Sequence, residues 1–266
     1  PLSLMAANLT SLSAIIDINP AAKQYLDSPQ SPIVLARKKT QAFEHIAPGL
    51  NWLGVMLPYT PLHYLLFHQA MGRPEGIDWL DNPVPFALVM TSANLKGQPL
   101  IHDEKQLPQL LSLADYVLTH NRKINKRIDD AIVNCVSKTP IIIRRGRGMA
   151  PKAIPLAKAV APSLALGGYF KNSICLSRNN KAYLSQYIGD LNNPDNCRYL
   201  EQTIEHMMQV FDIRPEQVFC DLHPDFYSSQ FAGQFASKHG LTLKRIQHHH
   251  AHAAAVACEH QLTESY

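Results

Sequence analysis

The sequence contains no CxxC pair. Its five cysteines (Cys135, Cys175, Cys197, Cys220 and Cys258) are scattered and odd in number. That argues for free thiols in a reducing compartment, against a disulfide framework and against a zinc ribbon. No apolar run approaches the roughly 18 residues that a membrane-spanning helix needs, so no membrane partner is expected. A basic-then-apolar leader is missing too, and the expected address is the cytoplasm. Charge is sparse: 17% of residues are charged and the net charge is +4. This leaves no basic stripe for a nucleic-acid partner, although soluble enzymes that handle anionic nucleotides share the balance. Repeats and low-complexity tracts are absent, as is an initiator methionine, because the chain begins at Pro1. We read it as a piece of something longer.

What is present suits two modest domains, since 266 residues at 46% hydrophobic composition supply real cores. The boundary is read at 151–163, where three prolines and small residues without an apolar period have the composition of a linker. Residues 1–150 and 164–266 then form the two domains. In the first, Ile33–Ala36, Leu53–Leu57, Phe86–Met90, Tyr116–Thr119, Ala131–Val136 and Ile141–Arg144 read as strands. Pro61–Ala70 and Glu104–Leu113 read as helices, and Gln69–Pro83 as an exposed loop. This is α/β. In the second, Leu164–Leu166, Ser173–Leu176 and Ala182–Gln186 read as three short strands, with Arg178-Asn179-Asn180 as a hairpin turn. A helix over Asn196–Phe211, a strand over Gln217–Cys220, a helix over Tyr227–His239 and a strand over Leu241–Ile246 follow. That order matches one ribonuclease-H-like subdomain of the actin and sugar-kinase type.

Chemistry concentrates in a few strings. His248-His249-His250-Ala251-His252 follows an apolar run and opens an alanine-rich helix. His248 and His252 therefore stand about one turn apart on one side, where two neutral imidazoles can share a divalent cation. A structural cluster of capping or hydrogen-bonding histidines is the competing reading, and a phosphate site a third. The internal position and the apolar flanks argue against a histidine tag. Thr91-Ser92-Ala93-Asn94 ends a buried strand, where hydroxyls and backbone N–H groups can converge on an anion or simply make a capped turn. Arg127, Asp129, Arg145 and Arg147 lie among arginine-rich strings whose planar forks suit phosphate, whereas Arg122 and Arg144 read as solvated face. Gly167-Gly168 with Lys171 and Asn172 forms the first turn of the second domain: either a phosphate-facing turn or an ordinary glycine hairpin. Asp221 and His223 follow the fourth strand as catalytic candidates, with a helix cap as the alternative for Asp221.

These strings together resemble one family, the hydrogenase-maturation carbamoyltransferases (HypF family), in which a YrdC/Sua5-like domain precedes a Kae1/TsaD-like domain. The matching stretches run in order: Met56 to His63, Met90 to Leu95, His120 to Arg122 with Arg127 to Asp130, and Arg144 to Gly148. They continue through Leu164 to Gly168 with Lys171-Asn172, Leu184 to Leu191, Cys220 to Asp225 and Gln247 to His252. The resemblance implies that the first domain uses ATP with Mg to turn carbamate, derived from carbamoyl phosphate, into carbamoyl adenylate. The second would pass the carbamoyl group to the C-terminal cysteine of a HypE-like maturation protein. By position, Thr91, Ser92 and Asn94 belong to the adenylate pocket with Arg145 and Arg147 nearby, and His248 and His252 match a pair expected to hold iron or zinc. Lys96 and Ala131 depart from the family pattern, which has a small hydroxyl residue and a serine there. Further modules of the family lie outside this sequence on both sides, so little or no turnover is expected from this piece alone. A tRNA threonylcarbamoyl transferase, a non-catalytic nucleotide-binding fragment and a sugar kinase are the rival readings.

Overall fold

The computed structural model describes residues 2–40, 43–95, 97–111, 113–137, 139–260 and 262. Lys96 lies outside the described residues. The chain divides into two compact units, Pro1–Ser92 with Ile128–Met149, and Ala93–Arg127 with Ala150–Tyr266.

The first unit is built on a mixed sheet of six strands in the order β4-β1-β3-β2-β5-β6. These are β1 (Ser3–Met5), β2 (Ile33–Arg37), β3 (Trp52–Met56), β4 (Leu88–Met90), β5 (Ile132–Asn134) and β6 (Ile141–Arg144). Alternation along β2 buries Val34 and Ala36, which join Leu4, Leu12, Leu53, Val55 and Val133 in one core. Helix α3 (Pro61–Ala70) starts where Thr60 accepts a hydrogen bond from the His63 N–H, with proline in its first turn. Three elements went unread in the sequence: β1, α1 (Leu9–Ser13) and α2 (Pro20–Leu26). Both helices carry a legible start, because Asn8 and Asn19 cap them by accepting from Ser11 and Ala22 N–H, and Pro20 follows Asn19.

The second unit has a four-stranded sheet in the order β10-β9-β7-β8. Its strands are β7 (Ala153–Ala165), β8 (Cys175–Leu184), β9 (Gln217–Asp221) and β10 (Thr242–Ile246). The helices α4 (Pro194–Phe211), α5 (Tyr227–His239) and α6 (His248–Glu259) alternate with the later strands. Leu200, Ile204 and Met207 of α4 lie against Leu164, Leu176 and Val218 in the core. Gly240 ends α5 in the left-handed conformation, as its position predicts. Strand β9 is parallel to both β7 and β10, with Asp221 opposite Ile246 and Phe219 opposite Ala165. Three strands therefore end at one edge, and the residues that follow them are Gly167-Gly168, Leu222-His223 and Gln247-His248. In α/β sheets this carboxyl edge is where ligands bind.

Four expectations are corrected. Most of 151–163 is strand rather than unstructured linker, because Ala153, Ile154 and Pro155 pair with Tyr183, Ala182 and Lys181 of β8. Arg178-Asn179-Asn180 does not reverse the chain: it lies inside β8, and register shifts along β7 accommodate Asn179 at φ 55°. The strand expected at Tyr116–Thr119 is irregular; among the described residues no strand pairs with it, and Tyr116 is 93% exposed. Glu104–Leu113 forms only 3-10 turns over Glu104–Leu110, with Pro108 inside, where its ring excludes a regular helix; Ser112 lies outside the described residues.

Candidate functional site

Gln247 sets the site's geometry. Its side chain accepts from the His249 N–H, so helix α6 begins at His248 and the two outer histidines stand one turn apart. Their Nε2 atoms face each other at 3.1 Å, with ring centroids 4.7 Å apart. Two bonds of about 2.0–2.1 Å to one ion are compatible with that spacing. On the far side of His248, Nδ1 lies 2.5 Å from Oδ2 of Asp221. Burial pushes the Asp221 carboxyl up, but the hydrogen bonds from His248 and from the His223 N–H outweigh it and hold the carboxyl below its ordinary value. His249 turns elsewhere, its Nδ1 beside Gln247 Oε1. His223 stacks on Phe226 with centroids 4.2 Å apart, and its Nδ1 accepts from the Asp225 N–H. Its ring thus braces the loop after β9.

The glycine turn adjoins this pair. A Cβ on Gly168 would meet His248 Cε1 at 3.8 Å, so the backbone comes within contact distance of the ring. Gly167 adopts φ 60°, and a Cβ there would lie 2.5 Å from the Ser173 carbonyl. Asn172 is 1% exposed and its Nδ2 donates to the Leu166 and Gly168 carbonyls. It therefore holds the turn from within. Lys171 is exposed at φ 49°, its N–H donating to Asp190.

In the first unit, the segments around Asp129 and Arg147 lock together. Gly146 leaves no room for a side chain, since a Cβ would fall 2.3 Å from the Asp129 carbonyl, which accepts from the Arg147 N–H. Asp129 pairs with Arg144 at 2.8 Å; burial raises its carboxyl above the ordinary value although Arg144 opposes the rise. Arg147 donates to Asp130, Gln30 and Ser31 and lies 3.5 Å over the Tyr59 ring, so its fork is internally engaged. Arg145 donates to the Met149 carbonyl, while its buried Nε has no hydrogen-bond partner among the described residues. Thr91 and Ser92 follow edge strand β4 and are exposed. Asn94 and Arg127 belong to the second unit. Asn94 Nδ2 donates to the Leu95 and Gln98 carbonyls, and the Arg127 guanidinium lies 5.1 Å from the Tyr199 ring centre, burial lowering its pKa.

Residues 158–259 match a family model described as the HypF Kae1-like domain, and residues 1–146 match the Sua5/YciO/YrdC model, described as telomere recombination. Carbamoyltransferase HypF2 of Cupriavidus necator is 46% identical over 98% of this chain and 33% of its own length. The chain belongs to the HypF carbamoyltransferase family. Carbamoyltransferase HypF of Synechocystis sp. is 38% identical, over 99% of this chain and 33% of its own length. A solved structure of full-length HypF in a phosphate- and nucleotide-bound form is similar with a TM-score of 0.87 at 37% identity, covering 99% of this chain and 40% of that one. The chain thus spans a third of the curated HypF relatives it matches, and it carries Sua5/YrdC-like and HypF Kae1-like domains.

Two features of this HypF-family site escaped the sequence reading. The Asp221–His248 contact joins residues 27 positions apart and depends on the β9–β10 register. Gln186, read only as the end of a strand and within a motif, donates to the Arg127 carbonyl at 2.6 Å and so anchors that arginine's backbone. Among the described residues no group of three or more His, Cys, Asp or Glu side chains is placed to hold a metal ion. The histidine pair offers two nitrogen donors, and Asp221 stands behind His248. No helix of the described residues is long and apolar enough to cross a membrane.

Proposed function

We propose that this chain is part of a carbamoyltransferase of [NiFe] hydrogenase maturation, working in the cytoplasm. One observation carries the reading: a single sequence matches both domain types of HypF in order, over 98% of its length in a named carbamoyltransferase. In this account carbamate, derived from carbamoyl phosphate, attacks the α-phosphorus of ATP bound with Mg, and pyrophosphate leaves. The thiolate of a HypE-like partner's C-terminal cysteine then attacks the carbamoyl carbon, and AMP leaves. Neither nucleic acid nor membrane takes part.

The residues divide the work. Thr91, Ser92 and Asn94 would bind the nucleotide, with Arg127 and Arg145 supplying charge; among the described residues the Arg145 Nε has no acceptor. Arg147 and Asp129 would hold the first unit's own fold there, since their polar atoms are paired within that unit. Gly167, Gly168 and Lys171 would approach phosphate in the second domain, with Asn172 keeping the turn in shape. His248 and His252 would hold iron or zinc; the facing nitrogens fit a borderline cation, which would polarise an acyl or phosphoryl oxygen. His223 would steady the Asp221 loop.

A chimera tests this. The matched third of the Cupriavidus necator protein is replaced by this sequence, and carbamoyl transfer to the partner's cysteine is followed by mass. Transfer comparable to the parent is expected, with the 266-residue chain alone showing little or none. A folded chimera that binds ATP yet transfers nothing overturns the proposal. So does isothermal titration of the chain showing neither ATP nor metal binding, which favours a non-catalytic scaffold.

A further inference from the structure

Asp221 is anchored more firmly than the histidine it touches. Its side chain is 7% exposed, against 49% for His248. Oδ1 accepts from the His223 N–H at 2.9 Å, its backbone carbonyl accepts from Ser229 Oγ at 2.9 Å, and the next residue donates to the Ile246 carbonyl at 2.9 Å. The Asp221 backbone is therefore held between β10 and α5, and its carboxylate is held by the His223 N–H. An ionised carboxylate only accepts hydrogen bonds, so Nδ1 of His248 carries the hydrogen in this contact. In a neutral ring Nε2 is then the lone-pair nitrogen. That atom is the one 3.1 Å from His252 Nε2. Gly168 lies beside the same ring, since a Cβ there would meet His248 Cε1 at 3.8 Å.

We infer that Asp221 is the positioning residue of the histidine pair: by accepting from Nδ1 of His248 it fixes the tautomer and ring orientation in which Nε2 binds a divalent cation jointly with His252. This rests on the metal role proposed above for the two histidines. The carboxylate would then accept from the ring nitrogen that does not hold the ion, the way in which proteins orient metal-bound histidines. An amide cannot replace the carboxylate. The substitution Asp221→Asn would offer one oxygen and one NH2 group to two donors, the His223 N–H and the His248 Nδ1–H, and one of them would lose its acceptor.

The test compares the 266-residue chain with its Asp221→Asn variant in two measurements. Isothermal titration with Zn2+ alone is expected to show saturable binding by the parent and about 10–100-fold weaker binding by the variant. Long-range proton–nitrogen NMR of the metal-free proteins reads the His248 tautomer directly. The hydrogen should sit on Nδ1 in the parent and move to Nε2, or divide between the two, in the variant. The same spectra show whether the variant is folded. Equal zinc affinity with an unchanged tautomer overturns the inference. A parent that binds no zinc, but whose tautomer depends on Asp221, upholds the positioning role and overturns the metal reading instead. Loss of zinc binding with His248 already hydrogenated on Nε2 in the parent also overturns it.

Discussion

Replacing Gly167 by alanine separates a backbone requirement from a packing preference at the edge of the second sheet. Gly167 stands at φ 60°, and an added Cβ would lie 2.5 Å from the Ser173 carbonyl oxygen and 3.1 Å from Asn172 Nδ2. The left-handed conformation costs a non-glycine residue about 1–2 kcal/mol. Displacing a packed backbone carbonyl costs about 1–3 kcal/mol more. The clash cannot be relieved by rotating a side chain, and it strikes the turn that Asn172 ties to the Leu166 and Gly168 carbonyls. A loss of about 2–5 kcal/mol is expected, and each 1.4 kcal/mol is about tenfold in an equilibrium. Amide exchange read by mass spectrometry should therefore quicken by about 30-fold or more in the segments around Leu166 and Phe219, which are hydrogen-bonded at 3.0 Å. Gly168→Ala is the control: its Cβ would meet only His248 Cε1 at 3.8 Å, ordinary contact, and under about 1 kcal/mol is expected. Equal exchange in the two variants, or an unchanged rate in Gly167→Ala, would refute the conformational account.

Arg147→Lys keeps the charge but removes the fork that reaches Asp130, Gln30 and Ser31. The first unit should lose about 2–3 kcal/mol, because orphaned partly buried acceptors cost more than one exposed pair. Trp52 and Trp79, the chain's two tryptophans, both lie in that unit, so urea unfolding followed by their fluorescence reports the loss. Tyr227 is pushed well above the ordinary tyrosine value, by burial first and then by its hydrogen bond to Glu201. A raised pKa means the native state holds the proton more tightly, so this stabilisation is complete below about pH 10 and is lost as pH rises toward the native value. The stability advantage of the parent over Tyr227→Phe should therefore shrink as pH rises from about 8 to about 11, read by thermal melts; a constant difference contradicts the assignment. Burial pushes the Cys175 thiol up to about 11, whereas Cys258 is exposed on α6. Iodoacetamide at about pH 8 should alkylate Cys258 first, on the order of tenfold faster, as peptide mass spectrometry would show.

Local chemistry was legible wherever a residue acts within one turn of itself. Pro61 and Gly240 marked helix ends, and the helices read over Asn196–Phe211 and Tyr227–His239 match α4 and α5 within two residues. The spacing of His248 and His252 fixed their common side before any coordinates, because one helical turn is a property of the chain alone. Strand partnership was not legible. Tyr116–Thr119 has the apolar composition of a strand, yet a strand exists only against a neighbour, and none of the described residues provides one. The prolines of 151–163 likewise suggested a linker, but position 155 lies in the ladder with Lys181 all the same, at a point where the register then shifts. Composition records what a segment tolerates; pairing decides what it does.

The same limit explains why the contact between Asp221 and His248 was not legible in the sequence. It depends on Ile246, which lies opposite Asp221 in the parallel β9–β10 ladder and delivers His248 two residues later. A slip of one residue in that register would turn the Asp221 side chain to the other face of the sheet and leave His248 without its acceptor. Sequence spacing between positions 221 and 248 carries no trace of this, since α5 and the turn at Gly240 intervene. Motifs such as Cys220 to Asp225 and Gln247 to His252 are therefore best read as two halves of one object joined across a sheet. The physical content of each half is the hydrogen bond it makes to the other.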